Sequence, residues 1–247
     1  MLLAVDIGNS NATFGLYDNG WKDTWRIDSK DEAQDQLYAL LNDHLHGLPV
    51  EAIVISSVVP FFTKVIQEQL EFKFKVKAYL VTPESYEKLP LSVLHPDKIG
   101  SDLVCDAVAA FTLFKADCMV IDFGTALTFT VVSDRKILGV NIAPGLKLAM
   151  KSLADNTAKL TEIPLKLPES VIGRDTTSAI QSGILWGYVG LVERMIDRIN
   201  EELSLKLKVV ATGGLSQVLE PLHNRFDVVE PNLTLEGLRH VHEINLP

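Results

Sequence analysis

Leu2-Leu-Ala-Val-Asp6-Ile-Gly-Asn9 opens the chain, and Met119-Val-Ile-Asp122-Phe-Gly-Thr125 repeats its plan in the second half. In both, an apolar strand-forming run closes on an acid, then a glycine, then a side chain carrying an amide or a hydroxyl. Such a bend can offer backbone N–H groups to a phosphate while its carboxylate holds a cation. Each copy continues into a threonine-containing, strand-like stretch and then a turn at matching offset, Asp18-Asn-Gly20 in one and Asp134-Arg-Lys136 in the other. A single Asp-x-Gly after a strand is often only a turn. Two copies in matching surroundings indicate an internal duplication. The expected fold is therefore α/β, with halves at residues 1–115 and 116–247, each a mixed β-sheet flanked by helices.

Working outward, Leu2 to Val5, Thr13 to Tyr17 and Trp21 to Ile27 read as a strand meander, with Asp18-Asn-Gly20 as its hairpin turn. Asp31 to about Leu45 reads as a helix. Ala52 to Val59 reads as a buried strand that Pro60 converts into a helix running to about Leu70. Pro83, Pro90 and Pro96 make a loop of the stretch from Tyr79 to Lys98, and helical spacing resumes at Ile99. In the second half, Cys118 to Ile121, Leu127 to Val132 and Ile137 to Ile142 read as strands, and Pro144-Gly145 begins a helix. Lys159 to Pro168 reads as an irregular connection. A long helix from about Thr176 to Leu203 carries Ile180, Ile184, Tyr188, Leu191, Met195 and Ile199 on its apolar side. Leu205 to Ala211 and Phe226 to Val229 read as strands, and Leu233 to His242 as a last helix.

Composition narrows the functions available. With 247 residues and 47% hydrophobic content, the chain can bury a sizeable core in each half. A formal charge of -9, with lysines and arginines scattered, argues against a nucleic-acid partner, and a bound nucleotide would need a divalent cation. The two cysteines, Cys105 and Cys118, have neither metal-ligand spacing nor a disulfide framework and read as buried, reduced thiols. No apolar run reaches the roughly 18 residues that span a membrane, so no membrane partner is expected. Met1 leads directly into a strand with no signal peptide, so the expected location is the cytoplasm. The six histidines form no ligand pair, and Trp21, Trp25 and Trp186 read as core anchors.

Three further motifs each carry a structural and a chemical reading. Gly100-Ser-Asp102 lies where the proline-rich loop enters a helix; Ser101 or Asp102 caps that helix, or Asp102 is the base that orients and deprotonates an acceptor hydroxyl. Ala211-Thr-Gly-Gly214 is a plain strand-to-helix turn or a seat for adenosine. In Gly173-Arg-Asp-Thr176, Thr176 caps the long helix or binds a small substrate at its N-terminus. In the first phosphate loop Asn9, Ser10, Asn11 and Thr13 supply donors, as Thr125 and Thr128 do in the second.

Together these motifs resemble the actin, sugar-kinase and Hsp70 ATPase superfold, whose ribonuclease H-like halves hold ATP in the cleft between them. Within it the chain resembles the type III pantothenate kinases, related to the Bvg accessory factor proteins. The resemblance runs through Asp6-Ile-Gly-Asn-Ser-Asn11, Ser56-Ser-Val-Val-Pro60, Gly100-Ser-Asp102, Asp122-Phe-Gly-Thr-Ala126, Pro144-Gly145, Gly173-Arg-Asp-Thr176, Thr212-Gly-Gly214 and Asn232-Leu-Thr-Leu-Glu-Gly-Leu238. It implies ATP-dependent phosphorylation of pantothenate to 4′-phosphopantothenate, the first step of coenzyme A synthesis, with Mg²⁺ and a monovalent cation, K⁺ or NH₄⁺. By the same resemblance Asp6, Ile7, Gly8, Asn9, Ser10, Asn11, Ala12 and Thr13 meet the ATP phosphates, with Gly124, Thr125, Gly213 and Gly214 completing the nucleotide site. Asp6 and Asp122 hold metal, Asp122 the monovalent ion. Asp102 is the proton acceptor, and Gly100, Ser101, Asp102 and Leu103 hold pantothenate, with Thr176 reaching it from the partner subunit of a homodimer.

The chain departs from the family pattern at three positions. Leu103 stands where an arginine is expected, Val93 where an aromatic is frequent, and Leu127 where a threonine is found in the second loop. The first removes a guanidinium expected beside an anionic substrate, a loss on the order of 2 kcal/mol. Lys98 or Arg174 would have to replace it. Two alternatives therefore stand beside pantothenate kinase: a nucleotide-binding regulator without acceptor chemistry, and a kinase for another small hydroxyl acceptor.

Overall fold

The computed structural model describes residues 1–29, 37, 39, 43–155 and 163–246. Its strands are Leu2–Ile7 (β1), Asn11–Tyr17 (β2), Trp21–Asp28 (β3), Ala52–Ser57 (β4), Ala78–Leu80 (β5), Ser92–Val93 (β6), Cys118–Phe123 (β7), Ala126–Ser133 (β8), Lys136–Pro144 (β9), Lys208–Thr212 (β10) and Val228–Val229 (β11). The α-helices are Pro60–Phe74 (α1), Ser101–Phe114 (α2), Leu146–Asp155 (α3), Thr176–Leu203 (α4) and Leu233–Asn245 (α5). Two compact units divide the chain: Met1–Leu113 with Arg135–Ile137 and Leu233–Pro247, and Phe114–Asp134 with Leu138–Asn232.

Unit 1 is built on the sheet β3-β2-β1-β4-β5, in which β1 pairs antiparallel with β2 and parallel with β4. Leu3, Val5, Ile7, Phe14, Ile53 and Ile55 supply the centre of its core, and α1 adds Phe62, Ile66 and Leu70 at helical spacing. Pro60 sits in the first turn of α1, where its missing N–H costs nothing, and Lys75 closes the helix in the left-handed conformation. Helix α2 buries Val104, Cys105, Ala107, Val108, Ala109 and Ala110, so it is enclosed on most sides. It admits α5 closely, because Gly237 lies against the Cys105 carbonyl where a Cβ would clash with backbone.

The second sheet is six-stranded, β6-β9-β8-β7-β10-β11, and apart from the edge strand β6 it repeats the arrangement, β7 pairing antiparallel with β8 and parallel with β10. The duplication expected from the sequence is present strand for strand. Both hairpin loops use positive φ: Asn19 is at 51° and Gly20 at 141° in the three-residue loop between β2 and β3, while Asp134 and Arg135 are at 50° and 55° in the two-residue loop between β8 and β9. Left-handed residues are what a two-residue hairpin between twisted strands requires.

Several boundaries differ from expectation for local reasons. The strand expected from Leu205 begins only at Lys208, because the amides of Leu205 and Leu207 are taken by the Asn200 carbonyl and side chain at the end of α4. The stretch from Tyr79 to Lys98 is not featureless: it holds part of β5, β6 and a 3-10 turn at Pro83–Tyr86 closed by Thr82 and Ser85. Core-most on α4 are Ile184, Leu185, Val189, Val192 and Ile196, and the other members of the expected stripe sit at the margin of that face. Most of the helix expected at 31–45 and part of the connection expected at 159–168 lie outside the described residues. Both cysteines are buried and free, Trp25 is buried, and Trp21 and Trp186 are half-buried. No helix among the described residues is long and apolar enough to cross a membrane.

Candidate active site

In unit 1 the register sets Asp6 between Thr13 of β2 and Ser56 of β4. The chain then turns through Gly8, whose amide donates to the Asn11 carbonyl at 3.0 Å. Asn9 and Asn11 are exposed at the tip, Ser10 and Thr13 are half-buried, and Ile7 and Ala12 point into the core. Of the eight residues expected at phosphate, Ile7 and Ala12 therefore have only backbone to offer. Asp6 Oδ1 is shielded from solvent.

Gly100, Ser101, Asp102 and Leu103 form the start of α2 in the same unit. Neither capping account is complete. Ser101 lies inside the helix, and its hydroxyl is 2.9 Å from Ser56 Oγ and accepts from the Ser57 amide at 3.2 Å. Asp102 Oδ1 accepts from the Leu103 amide at 2.9 Å, so the carboxylate also complements the positive end of the helix. Burial raises the Asp102 carboxyl above its usual range, opposed by hydrogen bonds from the Leu103 amide and its own. A proton acceptor with a raised pKa lies closer to the operating pH of a base. Gly100 makes room for it, since a Cβ there would collide with Asp102 Oδ1.

Residues that sequence reasoning did not assign complete this wall. Burial pushes the Cys105 thiol well up, and the negative charges of Asp6, Asp106 and Asp102 add to the effect. Three carboxylates thus lie close enough to one buried sulfur to perturb it. Asp106, 1% exposed, accepts from Thr234 Oγ1 of α5 at 2.7 Å. Tyr86 is also buried, and its hydroxyl is pushed up by burial, by Cys105 and by Asp102. Asp106 left a signal, an acid one turn beyond Asp102 in an otherwise apolar helix; Tyr86 left none.

The second loop, in unit 2, repeats the first. Asp122 lies between Thr128 of β8 and Thr212 of β10, as Asp6 lies between Thr13 and Ser56. Gly124 donates to the Ala126 carbonyl at 3.1 Å and Gly145 to that of Thr125 at 3.1 Å; Thr125 is exposed. Gly213 is at φ 88°, and a Cβ there would strike Asp122 Oδ1 and the Phe123 backbone. Gly213 and Asp122 are brought together for that reason. The turn is not followed by an α-helix, however: Ser216 folds back onto the Gly213 carbonyl, and the next regular element is the 3-10 turn Glu220–Arg225. The strand-to-helix turn that the sequence suggests is therefore not formed here.

Thr176 does not cap α4. Asp175 does, accepting from the Ser178 amide at 2.9 Å while Ser178 Oγ accepts from the Asp175 amide. Thr176 is left exposed in the first turn. Among the described residues no three His, Cys, Asp or Glu side chains are grouped to enclose a metal ion. A single strand-end carboxylate beside a phosphate loop is nonetheless the donor set that suits Mg²⁺, which takes one or two carboxylates and completes its shell with phosphates and water.

Residues 2–198 match the model of the type III pantothenate kinase family. The chain belongs to that family. Similar solved structures agree on the fold. A conserved Baf family protein from Campylobacter jejuni is 21% identical over 98% of each chain with a TM-score of 0.63. The activator of 2-hydroxyisocaproyl-CoA dehydratase from Clostridium difficile, with bound ADPNP, is 10% identical over 99% of this chain and 95% of its own, TM-score 0.52. An inorganic polyphosphate/ATP-glucomannokinase from an Arthrobacter strain is 16% identical over 99% and 98%, TM-score 0.51. The fold is that of the actin and sugar-kinase proteins, and membership of the family makes the chain a kinase-type, ATP-dependent phosphotransferase.

Within a pantothenate kinase framework the three departures acquire positions. Leu127 is buried in β8 opposite Phe123, so it belongs to the core of unit 2. Val93 sits in β6, paired with Ile137. Leu103 is half-buried in the first turn of α2, directly beside Asp102.

Proposed function

We propose that the protein transfers the γ-phosphoryl group of ATP to the primary hydroxyl of pantothenate, giving 4′-phosphopantothenate. Support comes above all from the register that sets Ser56 beside Asp6 and from the 2.9 Å contact of Ser56 Oγ with Ser101 Oγ, which joins the strand flanking the phosphate loop to the turn bearing the candidate base in one unit. The loop from Asp6 to Thr13 binds the phosphates through backbone amides and the side chains of Asn9, Ser10, Asn11 and Thr13. Asp102 accepts the proton of the attacking hydroxyl, and positioning supplies most of the acceleration, as in other phosphoryl transfers. Mg²⁺ at Asp6 neutralises phosphate charge when bound. Asp122, Gly124, Thr125, Gly213 and Gly214 are assigned to the nucleotide, and Asp122 also to a monovalent cation. Exposed Ile142, Val171 and Ile172 in unit 2 favour a homodimer in which Thr176 serves the partner's acceptor site. A cytoplasmic location fits this metabolic step.

Leu103 favours a second reading, a nucleotide-binding regulator in which acceptor chemistry is lost because no guanidinium stands there. Assaying ADP release with pantothenate and Mg²⁺ separates the two. Kinase activity predicts pantothenate-dependent ADP release that falls by about 10²–10⁴-fold in Asp102→Asn. ATP binding with no release at any pantothenate concentration would leave the regulator.

A further inference from the structure

A group of hydroxyls joins β4 to the start of α2. Ser56 is fully buried and Ser101 is 7% exposed, and their oxygens lie 2.9 Å apart. Ser101 Oγ also accepts from the Ser57 amide at 3.2 Å. The Ser57 side chain is held in turn, accepting from the Val59 amide at 2.9 Å and from Thr63 Oγ1 at 2.5 Å, and Thr63 Oγ1 also lies 2.8 Å from the Val59 carbonyl. Buried hydroxyls add nothing that alanine or valine would not supply by packing alone, and they penalise any arrangement that leaves them unpaired. What they add is direction. Ser56 is the register partner of Asp6 on the adjoining strand, and Ser101 immediately precedes Asp102. The hydroxyl pair therefore ties the segment bearing the candidate base to the strand beside the first phosphate loop.

We infer that Ser101 is a positioning residue: clasped by Ser56 Oγ and the Ser57 amide, it fixes the first turn of α2 so that Asp102 faces the acceptor hydroxyl at the Asp6 loop. This rests on the assignment of Asp102 as the base. Ser101 touches no reacting atom in this role; its hydroxyl is spent on β4, and its effect reaches the substrate through its neighbour.

The test is steady-state kinetics of Ser101→Ala, Ser56→Ala, the double variant and Ser101→Thr, each with a thermal melt, beside Asp102→Asn. Ser101→Ala is expected to lower kcat by about 30-fold or more with the KM for ATP within about twofold, because the phosphate loop is untouched while the base is misaligned. Ser56→Ala is expected to give a similar loss, the double variant no more than the larger single loss, and Ser101→Thr most of the activity back. If Ser101→Ala fails to melt cooperatively, Ser56→Ala carries the same prediction. Wild-type kcat in both single variants, while Asp102→Asn remains impaired, overturns the positioning role alone. Wild-type kcat in Asp102→Asn overturns the base assignment on which it rests. Strictly additive losses from Ser56 and Ser101, or a matching rise in the KM for ATP, would also overturn it by showing a general loosening of the fold.

Discussion

Gly100→Ala separates the placement of Asp102 from the stability of unit 1. Gly100 has no left-handed backbone angle, so alanine is tolerated by the backbone, and its Cβ would find Val58 at an ordinary 3.5 Å. The one hard collision is with Asp102 Oδ1, the far end of a side chain that can rotate away. To regain van der Waals distance the carboxylate must retreat by roughly 1 Å, which breaks its hydrogen bond from the Leu103 amide. Losing that bond costs about 1.5 kcal/mol, and replacing glycine returns about 0.4–1 kcal/mol through the unfolded chain. The net change is about 1 kcal/mol or less, a Tm shift of about 2–4 °C for a chain of this size. A misplacement of about 1 Å at a catalytic group, by contrast, costs on the order of 10²-fold in rate. Steady-state ADP release and a thermal melt on the same sample measure both. Wild-type kcat in a stably folded Gly100→Ala protein would refute the reasoning, because Asp102 would then work from a place it cannot occupy.

Asp102→Asn should also make the protein more stable near neutral pH. Burial raises the Asp102 pKa, so its contribution to stability is fully present below the unfolded pKa and is lost as pH rises through the folded one. The neutral amide avoids that loss, and a melt at pH 7 showing no gain in Tm would count against a desolvated carboxylate. For the same reason the acid limb of the wild-type kcat/KM profile is expected above the ordinary carboxylate range; activity persisting unchanged down to pH 4 would contradict it. Gly213→Ala imposes a left-handed alanine and a clash with Asp122 and the Phe123 backbone, for an expected loss of about 2–4 kcal/mol, read in urea titrations, with weakened ATP binding. Leu103→Arg is expected to lower the pantothenate KM by about tenfold to thirtyfold, or about 1.4–2 kcal/mol; an unchanged KM would mean that another group meets the substrate carboxylate.

Short-range signals carried most of the architecture. Asp6 and Asp122, each closing an apolar strand and followed by a hairpin, were enough to read a duplication, because strand period and turn chemistry are local. What stayed hidden depended on contacts distant in sequence. Leu205 and Leu207 look like strand residues, yet Asn200 captures their amides. Thr176 looks like a cap, but Asp175 and Ser178 satisfy each other first. In the candidate site, Asp102 and the Asp6 loop were legible from motif and resemblance. The hydroxyl seam was not, because Ser56 and Ser101 acquire meaning only once β4 and α2 are brought together. Tyr86 carried no mark in sequence, since its burial beside Asp102 follows from the 3-10 turn at Pro83–Tyr86.

The most direct measurement is mass spectrometry of pantothenate incubated with ATP, Mg²⁺, K⁺ and catalytic amounts of the protein, in parallel with Asp102→Asn. Conversion of pantothenate to a species heavier by one phosphoryl group, in step with ADP, is expected, with near-complete loss of that product in the variant. ATP consumed without a phosphorylated acceptor, or equal product from wild type and Asp102→Asn, would contradict it.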